Sequence, residues 1–129
     1  MATSLDSSAI VTLAVREPES LALRRYLRRR QPLISSALAR TEVLRALLPL
    51  GDNAVIRGRS VLQRIELVRV NDRILNAAGV LRPPALRSVD AIHLATAEEL
   101  GNELGALVTY EDMMVNAAKQ LGYPIVQPR

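Results

Sequence analysis

Short apolar runs alternate with helical stretches along the whole of this 129-residue chain, and that alternation leaves few folds open. The runs Ala2 to Leu5, Pro32 to Ser35, Ile65 to Val70, Ala106 to Thr109 and Tyr123 to Val126 read as strands. Between them lie stretches long enough for helical crossovers, which parallel strands require. Strand and helix in alternation predict a parallel sheet with helices on both faces. Crossovers in such sheets are right-handed, and ligands bind outside the carboxyl ends of the strands.

The helix boundaries come from caps and breakers. Ser7 and Ser8 can cap a first helix to about Val15. A second helix runs from Glu19 to Arg30, acids first and arginines last, in accord with the helix dipole. Ser36 caps a third helix that stops at Pro49, and a fourth follows Gly51-Asp52-Asn53 to about Arg64. The alternating Ile65 to Val70 suits a strand near a sheet edge. Asn71 caps a short helix to about Ala78, and Pro83-Pro84 makes the following segment a loop. Ser88 caps a helix over Val89 to Leu100, which Gly101 stops. The last helix starts at Glu111 or Asp112 and ends at Gly122. No repeat, linker or low-complexity tract divides the chain, so residues 1–129 are expected to form one domain.

Carboxylates stand where these elements meet. Asp6 follows the first strand, and Glu42 lies in a helix flanked by Leu38, Ala39 and Ala46. Asp90 opens an almost wholly apolar helix, and the pair Glu111–Asp112 follows the fourth strand. Each has an ordinary structural reading. Asp6, Asp90 and Glu111 or Asp112 could serve helix N-termini, and Glu42 could pair with Arg45. Brought together, they would repel by about 4 kcal/mol per pair at about 4 Å and an effective dielectric of about 20. A divalent cation relieves that repulsion, and an all-oxygen donor set suits Mg²⁺ or Mn²⁺. The chemistry this favours is metal-assisted hydrolysis of a phosphodiester.

Composition removes other classes. No Cys occurs, so thiolate metal sites, disulfides and Cys nucleophiles are excluded. One histidine, His93, is too few for a His-rich zinc site, and its apolar helix suits a hydrogen-bonded core histidine. There is no basic leader and no apolar span of about 18 residues, so a cytoplasmic location is expected. The net charge is +4, and Lys119 is the only lysine among the cations. Arginine grips phosphate bidentately, which suits a polyanionic partner. Arg24, Arg25, Arg28 and Arg29 form a stripe that could track phosphates or form the solvated face of a helix. Arg87, just before the Asp90 helix, is a candidate to meet charge on a phosphoryl group. A second acid two residues after Asp6, a Gly-rich phosphate loop and a G-x-G-x-x-G motif are all absent.

Four segments together carry a family resemblance. They are Leu5-Asp6-Ser7-Ser8-Ala9, Thr41-Glu42-Val43, Ser88 to Ala97 with Asp90 and His93, and Val108-Thr109-Tyr110-Glu111-Asp112 followed by Ala117-Ala118 and Leu121-Gly122. The chain resembles a PIN domain, and more narrowly the VapC toxins of VapBC toxin–antitoxin modules. The resemblance implies a three-layer α/β/α, PIN-like (Rossmann-like) fold with a central, mostly parallel sheet of about five strands. It implies a Mg²⁺- or Mn²⁺-dependent endoribonuclease that cuts structured RNA such as transfer or ribosomal RNA and arrests growth. It also implies a homodimer and neutralisation by a VapB-type antitoxin. The family's acids carry over to Asp6, Glu42 and Asp90. The family usually shows Thr-Tyr-Asp at the fourth, where this chain has Thr109-Tyr110-Glu111. Register therefore favours Glu111, while Asp112 offers the shorter side chain one position later. In this reading Asp6 and Asp90 bind metal directly, and Glu42 with Glu111 or Asp112 holds metal-bound water or a second ion. The competing reading is a PIN-like RNA-binding or adaptor module without chemistry.

Overall fold

The computed structural model describes residues 1–129. Five parallel strands form one sheet in the order β3-β2-β1-β4-β5. They are β1 (Ala2–Leu5), β2 (Leu33–Ser36), β3 (Glu66–Val68), β4 (Leu104–Val108) and β5 (Ile125–Val126). Seven α-helices connect them: α1 (Ser7–Ala14), α2 (Ser20–Leu27), α3 (Ala39–Leu47), α4 (Asp52–Leu62), α5 (Asp72–Gly79), α6 (Ser88–Glu98) and α7 (Asp112–Leu121). The expected parallel α/β/α architecture is present, with β3 at a sheet edge.

Strand alternation sorts the core into two layers. Leu5, Leu33 and Val108 point to one face and pack with α1 to α4 through Ala9, Ile10, Leu23, Val43, Leu47 and Val61. Leu107, one residue from Val108, points to the other face and packs with α6 and α7 through Leu94, Ala97, Met114 and Ala117. With neither Phe nor Trp, both layers are aliphatic and small residues let helices approach closely. Gly58 in α4 shows how closely. A Cβ there would lie 2.4 Å from Cδ1 of Leu47, itself fully buried.

Local rules set most boundaries, with informative exceptions. Asp6, not Ser7 or Ser8, caps α1: its carboxylate accepts from the Ala9 N–H at 3.0 Å. Asn71 caps α5 as expected, accepting from the Ile74 N–H at 2.9 Å. Helix α2 ends at Leu27 rather than Arg30, and the chain leaves it through a tighter turn in which Arg30 N–H donates to the Leu27 carbonyl at 3.1 Å. Ser88 is the first residue of α6, and Arg87 occupies the cap position without a side-chain cap bond. Gly122, at φ 79°, ends α7, where Tyr123 N–H donates to the Ala118 carbonyl at 2.9 Å.

The order of strands places a topological switch between β1 and β4, since β1 connects onward to β2 on one side and β4 lies on the other. Leu5 is in register with Val108, and Asp6 N–H extends the ladder to the Val108 carbonyl at 3.2 Å. The residues just past both strands therefore stand side by side. Leu94 anchors α6 against this seam and is fully buried. Leu94→Ala should lower unfolding free energy by about 2–5 kcal/mol. Urea unfolding would measure it, and a loss under about 1 kcal/mol would mean that α6 is not seated in the core as described.

Candidate functional site

Four of the five acids singled out in the sequence converge at the carboxyl ends of β1 and β4. Asp6 comes from the end of β1, Glu42 from the first turn of α3, Asp90 from the first turn of α6, and Glu111 from the turn after β4. Asp112 stands apart. It is the exposed first residue of α7 and takes part in none of the hydrogen bonds that link the others.

Asp6 is buried, with only 2% of its surface exposed. Its Oδ1 accepts from Ser8 Oγ at 2.6 Å and from the Ala9 N–H, and its Oδ2 accepts from Thr109 Oγ1 at 2.5 Å. Burial pushes the carboxyl above its usual range, and these donors work in the opposite direction. A carboxylate has about four lone-pair positions, so one remains to accept another ligand. Ser8 Oγ also accepts from Tyr110 N–H across the seam at 3.0 Å, and Thr109 Oγ1 accepts from Glu111 N–H within its own turn at 3.1 Å. The two hydroxyls thus tie the end of β1 to the turn that carries Glu111.

Glu42 accepts at Oε1 from Ser7 Oγ and from His93 Nε2, each at 2.7 Å. Burial alone would raise this carboxyl, but the bonds from His93 and Ser7 outweigh it and hold the group below its usual range. His93 is buried and stands three residues after Asp90 on α6. The expected hydrogen-bonded core histidine is present, and its partner is a candidate site acid.

Asp90 is buried beside an exposed arginine. Arg87 Nε and Nη2 reach Asp90 Oδ2 and Oδ1 at 3.1 and 3.4 Å, and Nη2 also reaches Glu111 Oε2 at 2.9 Å. The Arg87 side chain is 65% exposed. Ion pairs with an exposed partner contribute about 0–1 kcal/mol, so this contact is a weak tie. Glu111 is pushed up to about 7, first by burial, then by the Asp90 and Asp6 carboxylates, with Arg87 opposing.

These side chains fit a hard divalent ion by donor type, and a guanidinium already holds cationic charge between two of them. No three of the acids are gathered closely enough to surround one ion. The stripe Arg24, Arg25, Arg28 and Arg29 lies elsewhere. Arg24 and Arg25 are on the exposed side of α2, opposite buried Leu23 and Leu27, and Arg28 and Arg29 are exposed in the turn that follows it. Arg29 lines a hollow with Met1 and Gly105, at the amino ends of β1 and β4 and so at the opposite end of the sheet from the acids.

Ser8 and Thr109 were not singled out from sequence. Once β1 is paired with β4, however, Thr109 must adjoin Asp6. The His93–Glu42 bond joins α6 to α3, a pairing that no local pattern encodes.

Comparison with known proteins identifies the family of the chain. The PIN domain family matches residues 4–120. The chain is 60% identical over 124 residues to Ribonuclease VapC46 of Mycobacterium tuberculosis, covering 96% of this chain and 95% of that protein. Among solved structures, it resembles Mycobacterium tuberculosis VapC20, described as a Sarcin-Ricin loop cleaving toxin. That match has a TM-score of 0.78 and 16% identity, and covers 98% of this chain and 99% of the other. A toxin-antitoxin complex from Klebsiella pneumoniae aligns with a TM-score of 0.71 and 23% identity, covering 98% of each chain. At such identities these two similarities speak to the fold.

The raised carboxyl of Glu111 fixes a pH dependence. An acid whose folded pKa lies above its unfolded value binds its proton more tightly when folded. The stabilisation is therefore present below the unfolded value of 4.5 and is lost as pH rises to about 7. In chelator, wild-type stability should fall between pH 5 and pH 8 by more than that of Glu111→Gln. Urea midpoints at the two pH values would show it, and equal losses in both proteins would contradict the assignment.

Proposed function

The chain belongs to the PIN-domain family, among the VapC ribonucleases, and we propose that it is the toxin of a type II toxin–antitoxin pair, a metal-dependent endoribonuclease that cleaves structured RNA and arrests growth. The observation that carries this reading is the convergence of Asp6, Glu42, Asp90 and Glu111, from four separate segments, on one end of the sheet.

The residues divide the work. Asp6 and Asp90, both buried, are the direct holders of Mg²⁺ or Mn²⁺ in this proposal. Glu42 is held ionised by Ser7 and His93, which suits it to orient a water near the scissile phosphate. Glu111 supplies the fourth carboxylate, and its tie to Arg87 supports it over the exposed Asp112. The bound ion would supply Lewis acidity toward the phosphoryl oxygens and a water of lowered pKa. Ser8 and Thr109 hold Asp6 in position.

RNA as substrate is supported by the ribonuclease name of the 60%-identical relative and by the +4 charge of the chain. A VapB-type antitoxin as partner is supported by the fold shared with solved toxin–antitoxin complexes. The contacts of Arg87 with two of the acids support a basic side chain as the group such a partner would insert. A homodimer in the cytoplasm completes the proposal. No helix is long and apolar enough to cross a membrane.

Cleavage by purified variants tests the reading. Asp6→Asn and Asp90→Asn should lose about 10²-fold or more in rate while remaining folded. Glu111→Gln should lose more than about tenfold and Asp112→Asn less than about twofold. Wild-type rates in the Asp6 or Asp90 variant, with Mg²⁺ present, would refute metal-assisted cleavage and favour a binding module.

A further inference from the structure

Arg87 is not explained by holding α6 in place. It occupies the cap position but makes no side-chain cap bond. Its guanidinium instead reaches two acids from different elements, Asp90 on α6 and Glu111 after β4. Those acids differ from their partner in exposure. The Asp90 side chain is 4% exposed and that of Glu111 35%, while that of Arg87 is 65% exposed. The arginine thus lies over the mouth of the acidic cluster with solvent on its other side. It can leave without opening a cavity. While it stays, its charge offsets part of the repulsion between Asp90 and Glu111.

We propose that Arg87 is a resident cation that latches Asp90 to Glu111 in the metal-free protein and must swing out to solvent before a divalent ion can take those carboxylates. The inference rests on the metal-dependent reading above and adds a regulation to it. Arginine and metal compete for the same oxygens, so occupancy by one excludes the other. Two consequences distinguish a latch from a plain structural contact. Removing the guanidinium destabilises the metal-free protein, because the acids then face each other unscreened. The same change strengthens metal binding, because nothing has to be displaced. A residue that merely held the fold would weaken both.

Calorimetric titration of chelator-treated protein with Mn²⁺ alone tests this, beside thermal unfolding in chelator. Arg87→Gln should bind Mn²⁺ about tenfold more tightly than wild type and should melt at a lower temperature without metal. Arg87→Lys keeps a charge but loses the two-pronged grip, and should fall between them. That variant carries the test if Arg87→Gln does not fold. Mn²⁺ binding by wild type that is unchanged or weakened in the folded Arg87 variant would overturn the latch and leave the metal site standing. No Mn²⁺ binding by any of the proteins would overturn the metal reading and the latch with it.

Discussion

The hydrogen bond from Thr109 to Asp6 crosses the seam between β1 and β4, and the site depends on it. It joins residues 103 positions apart in the chain and holds in place a buried carboxyl that burial pushes above its usual range, itself opposing that shift. Ser8 repeats the device from the other side, binding Asp6 while accepting from Tyr110. Neutral hydroxyls at this point solve an electrostatic problem. A cation there would neutralise Asp6 and compete with any incoming metal, whereas a hydroxyl donates a bond and leaves the charge in place.

The acids fall into two electrostatic classes. Glu42, its side chain 25% exposed, is held ionised by the buried His93 and by Ser7. Glu111 is the opposite case, raised by burial and by its neighbours to about 7 and balanced by an exposed arginine. One half of the site is therefore preset, and the other responds to what binds. Such a division suits a phosphodiester nuclease, in which a preorganised environment serves the reaction while cations and substrate enter and leave.

Sequence pattern alone located all five strands, because each is a short apolar run bounded by a breaker or a cap. It also named the four acids that converge: Asp6 and Glu111 because each follows a strand, Glu42 and Asp90 because each stands in a helix among apolar neighbours. Sequence could not decide between Glu111 and Asp112. Their backbone positions are adjacent, and only the start of α7 sets one toward the seam and the other toward solvent. It assigned the α1 cap to Ser7 and Ser8, since hydroxyls commonly do this work. In the structure Asp6 caps the helix and Ser8 bonds Asp6 instead. The His93–Glu42 bond was not legible, because it depends on how α6 lies across the sheet relative to α3. Helical spacing placed His93 on the face of Asp90, and tertiary packing supplied its partner.

The strand order has a consequence for when the site comes into being. β1 is synthesised first, but its neighbour β4 begins at Leu104. Thr109 and Glu111 follow β4, so three of the four segments that carry the acids are made while the seam is still open. Pairing across such a sequence separation carries a large loop-closure cost and tends to form late. The acidic cluster is thus assembled by one of the most remote contacts in the chain, and a partly folded or partly made molecule carries its carboxylates scattered. For a member of a ribonuclease family, the completed acidic cluster arrives with the completed fold and not before it.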